Sequence, residues 1–446
     1  MILAGFGTAD MTPKPGTLTS LFIGRPLERI VTPLQAKICL IGTGELSTAI
    51  VSLDTTSLYS CVIEDIRRTV AAVTGTAPDK IIVVSTHTHS SPYLHRAGQD
   101  YLEQKQLRFL DSDYYESVLR SVEKAALDAL AELGPVDVHS SSGVVSEVAC
   151  NRRVPLPDGS IGIRFGRGVS DELRGYPDGL IDPEVQCLWF ADKSGQIVGS
   201  LVNYACHATS FNQFYDICWD YPGFATEDIE RKIGGISLFL QGCAGNISPG
   251  KYTVGEPLED CRSMGRRVAD AAHGSFRSAK PVRAEALLYA SETVPSELRI
   301  FHDKDELVRM LDAEIAQCRN DDDFLSVPSE SRSANILTLM ERIVLLDRYP
   351  DLSMPSEVTA IGFGDVRMVF LPGESFIQSA LQLKTKFSHL HLMVMAYTDS
   401  SLEYVPNAEA YEEIGGYETG EKWCFAAKGT AERLLRTAEE LVDSLA

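Results

Sequence analysis

Nothing in these 446 residues reads as a disulfide scaffold, a structural zinc knot or a membrane span. The ten cysteines include no close Cys-x-x-Cys pair, and no apolar run approaches the roughly 20 residues that a bilayer requires. Positive charge is scarce: 41 Lys and Arg stand against 62 Asp and Glu, a net charge of −21, which disfavours nucleic acid and anionic lipid surfaces as partners. No phosphate loop or internal repeat stands out, and Gly5-Phe6-Gly7 lacks the third glycine of a dinucleotide fingerprint. The amino terminus shows no cationic stretch, apolar core and cleavage site in series, so the expected location is the cytoplasm. The cysteines are expected to be reduced and mostly buried.

What the sequence does contain is a repeated layout in which a strand-like run ends abruptly in a polar loop. Ile81-Ile82-Val83-Val84 runs into Ser85-Thr86-His87-Thr88-His89-Ser90. Residues two apart on an extended segment share a side at about 6.6 Å, which would let one imidazole take a metal while the other faces a substrate. A histidine at a strand end is more often a hydrogen-bonded structural residue, so this loop does not decide the matter alone. The layout recurs where Gly199 to Ala205 meets Cys206-His207, where Ile236 to Leu240 meets Gln241-Gly242-Cys243-Ala244-Gly245-Asn246-Ile247-Ser248-Pro249, where Met368 to Leu371 meets Pro372-Gly373-Glu374, and where Leu392 to Ala396 meets Tyr397 to Tyr404. In α/β sheets ligands sit beyond the carboxyl ends of strands, so all five loops are expected to converge on one site.

Other histidines (His95, His139, His273, His302, His389 and His391) have no partner pattern and are expected at the surface or as satisfied core residues. Cys206 and Cys243 read as small buried residues under the site rather than nucleophiles. Ser248-Pro249-Gly250-Lys251 fits a Ser-x-x-Lys pattern, but its proline and glycine argue for a loop rather than the helix that pattern needs. Tyr114 to Leu133 carries Val118, Val122, Ala125, Ala126 and Ala129 at helical spacing and stops at Gly134-Pro135. A final amphipathic helix places Leu434, Leu435, Ala438, Leu441, Val442 and Leu445 on one face, with Thr430 as its expected cap. The fold class is therefore α/β, a mixed sheet flanked by helices. Because the candidate site draws on residues 87 to 417, the chain reads as one large catalytic domain over 1–446, within which 303–351 is a helical insertion or lid, a peripheral hairpin being the simpler form of it.

In order along the chain, Ala4 to Pro13, Val51-Ser52-Leu53-Asp54, Thr86 to Ser90, Asn151-Arg152, Asp220-Tyr221-Pro222-Gly223, Gly242 to Pro249, Leu371 to Glu374 and the stretch from Tyr404 to Tyr417 resemble the catalytic domain of the neutral ceramidases. The chain is expected to lack the β-sandwich that follows that domain in ceramidases, since its last residues read as an amphipathic helix. The resemblance implies one zinc per chain bound by His87, His207, Glu374 and Tyr404. It places His89, Arg152 and Tyr417 around the substrate carbonyl, Ser248 beside the metal, and Gly245 and Asn246 against the substrate. Two positions depart from the family. Asn246 stands where ceramidases carry an aspartate, and an amide cannot take a proton from water, so Asp220 becomes the candidate general base. Tyr417 follows Tyr404 by thirteen residues, one more than the family spacing.

The implied activity is zinc-dependent hydrolysis of an amide in an N-acylated small molecule or lipid-like compound, with Tyr404, His89 and Arg152 stabilising the oxyanion. Ester, lactone or glycan hydrolysis on the same metal frame, or metal and ligand binding without catalysis, are the alternatives. Histidine, carboxylate and phenolate ligands would also accept iron, manganese or cobalt.

Overall fold

Ile81–Ser85 is apolar without alternation because both of its faces are covered: Ile81 and Val83 point to one buried cluster, Ile82 and Val84 to another. It forms one edge of the larger of the two main sheets. In this computed structural model, which describes all residues except 19–25, 213–214, 321–329 and 446, the larger sheet runs in the spatial order Ile236–Gln241, Ile197–Tyr204, Glu184–Ala191, Gly134–Val144, Ile2–Asp10, Gln35–Thr43, Glu45–Leu53, Ile81–Ser85. The short strand Lys280–Pro281 pairs beside Gly134–Val144. The outermost pair at each end is parallel and the pairs between are antiparallel. The second sheet joins Leu288–Glu297, Ser353–Phe363, Val366–Phe370 and His391–Met395, the last two in parallel.

The two sheets pack face to face. Ile41, Ile50, Ile82, Leu188, Leu201 and Leu238 of the first share one buried cluster with Ile361, Phe363, Met368, Phe370 and Met393 of the second. Helices cover the outer faces: Ser60–Thr74 and Ser112–Ala131 over Ala36, Ile38 and Leu40, and Asp220–Ile233 and Pro257–Phe276 over Cys187, Trp189 and Val202. Ile377–Lys386 and Thr430–Ser444 lie over Val358, Ala360 and Val369. The mixed sheet flanked by helices is as the sequence implies. The second sheet is not separable from it in the sequence, because Val366–Phe370 and His391–Met395 carry the same doubly buried pattern and a sequence does not state which sheet a strand joins.

The segment 303–351 holds two packed helices, Lys304–Asn320 and Glu330–Arg348. The part of it at 321–329 lies outside the described residues. Thr430 opens the final helix but does not cap it; the cap position is Gly429, whose left-handed backbone (φ 89°) glycine adopts without strain. No helix among the described residues is long and apolar enough to cross a membrane.

Gly7 marks the closest approach between layers. A Cβ there would lie 2.0 Å from the carbonyl oxygen of Ala125 and 2.7 Å from the amide of Ala129, in helix Ser112–Ala131. Gly7→Ala is therefore expected to lower stability by about 1–3 kcal/mol, read as a lower urea midpoint. An unchanged midpoint would mean that this helix does not sit so close on the sheet.

Candidate metal centre

The polar loops meet where the two sheets come together, and backbone hydrogen bonds stitch them. The amide of Ala396 donates to the carbonyl of Gln241, Tyr397 to Gly373, Gly245 to Ser375, His89 to Ala208 and Ser85 to Tyr397. Three non-glycine residues here adopt left-handed backbone, His87 (φ 64°), Tyr397 (φ 63°) and Glu403 (φ 53°), a conformation kept only where the surroundings enforce it. Asp54 helps to enforce it, since its carboxylate accepts from the amide of Gln35 and the hydroxyl of Thr86, one residue before His87.

His87 and His89 do not keep the spacing of an extended segment. The left-handed turn at His87 swings the two rings edge to face, with Nε2 atoms 3.2 Å apart. His207 joins them, its Nε2 lying 3.0 Å from that of His87. His87 Nδ1 lies 2.6 Å from the carbonyl oxygen of Thr56, and His207 Nδ1 lies 2.8 Å from that of Ala244. A carbonyl only accepts, so both Nδ1 atoms carry the proton and both Nε2 atoms present lone pairs to each other. Glu374 adds acceptors to the same space: Oε2 is 3.3 Å from His207 Nε2 and has no hydrogen-bond partner, and Oε1 is 3.7 Å from His87 Nε2. Acceptors facing acceptors at these distances repel unless a cation or a shared proton lies among them, and two imidazoles with a carboxylate suit zinc and similar divalent ions.

Burial sets the protonation states. It holds the imidazoles of His87 and His207 well below the usual histidine range, and that of His89 at about 3. It pushes the Glu374 carboxyl up to about 7 against the opposing pull of Arg152. His89 is thus neutral and does not bring positive charge to a carbonyl. It lies with His87 and His207 in a group of three nitrogens close enough together to hold a metal ion.

Two phenols lie beside this group. The hydroxyls of Tyr404 and Tyr417 lie 3.3 Å apart, and Tyr404 also hydrogen-bonds Glu374. The thirteen-residue spacing therefore still delivers Tyr417 to the site. Both tyrosines line a cavity of about 350 Å³ together with His87, His89, Glu374, Phe165 and Trp423.

Arg152 is fully buried behind this wall. Its Nε donates to Glu418 at 2.8 Å, its Nη2 to the carbonyl of Gly245, and its guanidinium lies 5.0 Å and 5.1 Å from the Tyr404 and Tyr417 ring centres. It does not line the cavity and so acts on the phenols rather than on a substrate atom.

Four other expected residues take structural places. Asn246 accepts at Oδ1 from the amide of Ile377, the first residue of helix Ile377–Lys386, and donates from Nδ2 to Gln378. Asn246 is thus a helix cap, and its departure from aspartate removes no base from the cavity. Gly245 lies under Glu374, where a Cβ would come within 2.1 Å of the Glu374 carbonyl oxygen. The Ser248 hydroxyl donates to the carbonyl of Arg164. Asp220 is buried with its two oxygens accepting from the amides of Phe211 and Tyr221, and lies outside the cavity lining, which leaves it no access to a substrate proton. The cysteines beside the loops are unreactive by the same physics: burial pushes Cys243 up to about 12 and Cys206 well above the thiol range.

Several residues that shape the site carried no signal of their own. Tyr397 lays its ring 4.3 Å from that of His87. Glu418 neighbours Tyr417 in sequence and reveals its role only through Arg152. Helix Glu330–Arg348, far from every motif, contributes Ala334, Leu337, Thr338 and Glu341 to the cavity wall.

Asn246→Ala is expected to cost about 0.5–2 kcal/mol through loss of the cap, measured by urea unfolding, with metal content unchanged. Loss of metal at unaltered stability would return position 246 to the site.

No protein-family model matches the chain. Over 181 residues it is 29% identical to neutral ceramidase from Pseudomonas aeruginosa, a match that spans 38% of this chain and 24% of that protein. Among solved structures, a ceramidase complexed with C2 superposes with a TM-score of 0.71 at 18% identity, covering 100% of this chain and 76% of the other. Neutral ceramidase from Pseudomonas aeruginosa superposes with a TM-score of 0.68 at 19% identity, over 99% and 73%. The chain is thus similar to neutral ceramidase in sequence over that segment, and it takes the neutral ceramidase fold along its whole length.

Proposed function

We propose that the protein is a zinc-dependent hydrolase that cleaves the amide bond of an N-acylated small molecule or lipid-like compound. The observation that carries this reading is the set of inward-facing acceptors, the Nε2 lone pairs of His87 and His207 and the unpartnered Oε2 of Glu374, beside two phenols at the end of one cavity. The similarity to neutral ceramidase supports the choice of an acyl amide.

His87, His207 and Glu374 would hold the ion, with Tyr404 next to the carboxylate and His89 completing the nitrogen face on the cavity side. Such an ion supplies Lewis-acid chemistry, polarising an acyl carbonyl and acidifying water. The chain's own residues would do the rest. Tyr404 and Tyr417 stay protonated at neutral pH, because burial raises both phenols, and each can donate to the carbonyl oxygen as negative charge develops there. Arg152, held by Glu418, keeps a positive field behind those phenols. Ala334, Leu337 and Trp423 give the cavity an apolar wall that excludes water and accepts an alkyl portion of the substrate.

The purified protein is expected to hold about one zinc per chain, and His207→Ala and Glu374→Ala are expected to lose it while keeping the far-UV dichroism of the wild type. Metal retained in both variants would overturn this site. When matched amide and ester substrates are screened, amide turnover is expected, and Tyr404→Phe should lower it by about 10²–10³-fold. Turnover confined to esters would overturn the amide assignment.

A further inference from the structure

The same cavity contains a second polar group that hydrolysis does not use. Glu341, from helix Glu330–Arg348, and Glu403, one residue before Tyr404, both line it and both are buried, at 2% and 7% exposure. The Tyr59 hydroxyl reaches Oε1 of each, at 2.7 Å and 2.8 Å, and Tyr93 hydrogen-bonds the Glu341 carboxylate as well. Two phenols supply only two protons to the four oxygens of the pair. Glu341 Oε2 is left with no partner.

No lysine or arginine lines the cavity among the described residues to balance this charge. The nearest in sequence, Arg342, turns away to the carbonyl of Glu421 and the ring of Phe425. A buried carboxylate that lacks a partner is costly, and a site that keeps two of them on one wall is complementary to a cation that brings its own N–H donors. The aromatic surfaces of Tyr93 and Trp423 on the same wall suit an ammonium further.

We propose that Glu341 and Glu403 bind a protonated amine, so that the substrate is an N-acyl compound that retains a free amino group. The acyl amide would lie at the imidazole end of the cavity and the ammonium at the carboxylate end. The amide half of this statement rests on the hydrolase reading above; the ammonium half does not, because it depends on no metal ligand.

Isothermal titration of the full-length protein with n-hexylammonium, and with n-hexanol as the neutral match, tests the ammonium half separately. The ammonium is expected to bind in preference to the alcohol, in protein with its metal and in protein stripped by a chelator. Glu341→Gln, which keeps the size and removes the charge, should weaken ammonium binding by about tenfold or more and leave the alcohol unaffected. Glu403→Gln serves as an independent second variant with the same expected outcome. Equal binding of ammonium and alcohol, or ammonium affinity unchanged in both variants, would overturn the proposal and show the pair to be a self-contained carboxyl–phenol cluster. Ammonium binding by a protein that holds no metal as isolated and takes up none on dialysis against zinc would instead leave the ammonium site standing and remove the hydrolase reading.

Discussion

Two backbone carbonyls decide the character of this protein. Thr56 and Ala244 each take the Nδ1 proton of a histidine, and in doing so turn the opposite nitrogens of His87 and His207 into bare lone pairs 3.0 Å apart. The carbonyls belong to loops that leave different parts of the large sheet, so the arrangement exists only when both ends of that sheet are correctly placed. Rings so fixed cannot rotate to relieve their repulsion. A bound cation would offset that cost, which is why the donor set rather than any single residue marks the candidate centre.

The layered fold explains how such a concentration of polar groups survives in a protein interior. With two sheets packed face to face over an apolar cluster and helices on both outer surfaces, the loops at the sheet ends are tied by backbone hydrogen bonds between Ala396 and Gln241 and between Gly245 and Ser375. That rigidity sustains left-handed backbone at His87, Tyr397 and Glu403. It also lowers the local dielectric, so Arg152 polarises the phenols through their rings more strongly than it would in water.

Much of this was legible in the sequence, and the exceptions share a cause. Strands ending in polar loops are a local pattern, so the five runs and the convergence of their loops could be read from residue order, whereas singling out His87, His207, Glu374 and Tyr404 rested on the resemblance to the neutral ceramidases. What a side chain bonds to is not local. Asn246 looked like a weakened catalytic residue because its partner, the start of helix Ile377–Lys386, lies 131 residues away. Asp220 looked available because the amides that occupy it are invisible in a one-letter string. Extended geometry predicted that His87 and His89 would divide their roles, and a single left-handed residue brings them together instead. Glu341 gave no sign at all, since a lone glutamate in an amphipathic helix ordinarily faces water.

X-ray absorption at the zinc edge, recorded on the protein as isolated, tests the central claim most directly. The account predicts a first shell of nitrogen and oxygen only, at about 2.0–2.2 Å, with the outer-shell scattering of imidazole rings. A sulfur shell at about 2.3 Å, or zinc without imidazole scattering, would place the metal elsewhere and contradict the assignment of these histidines.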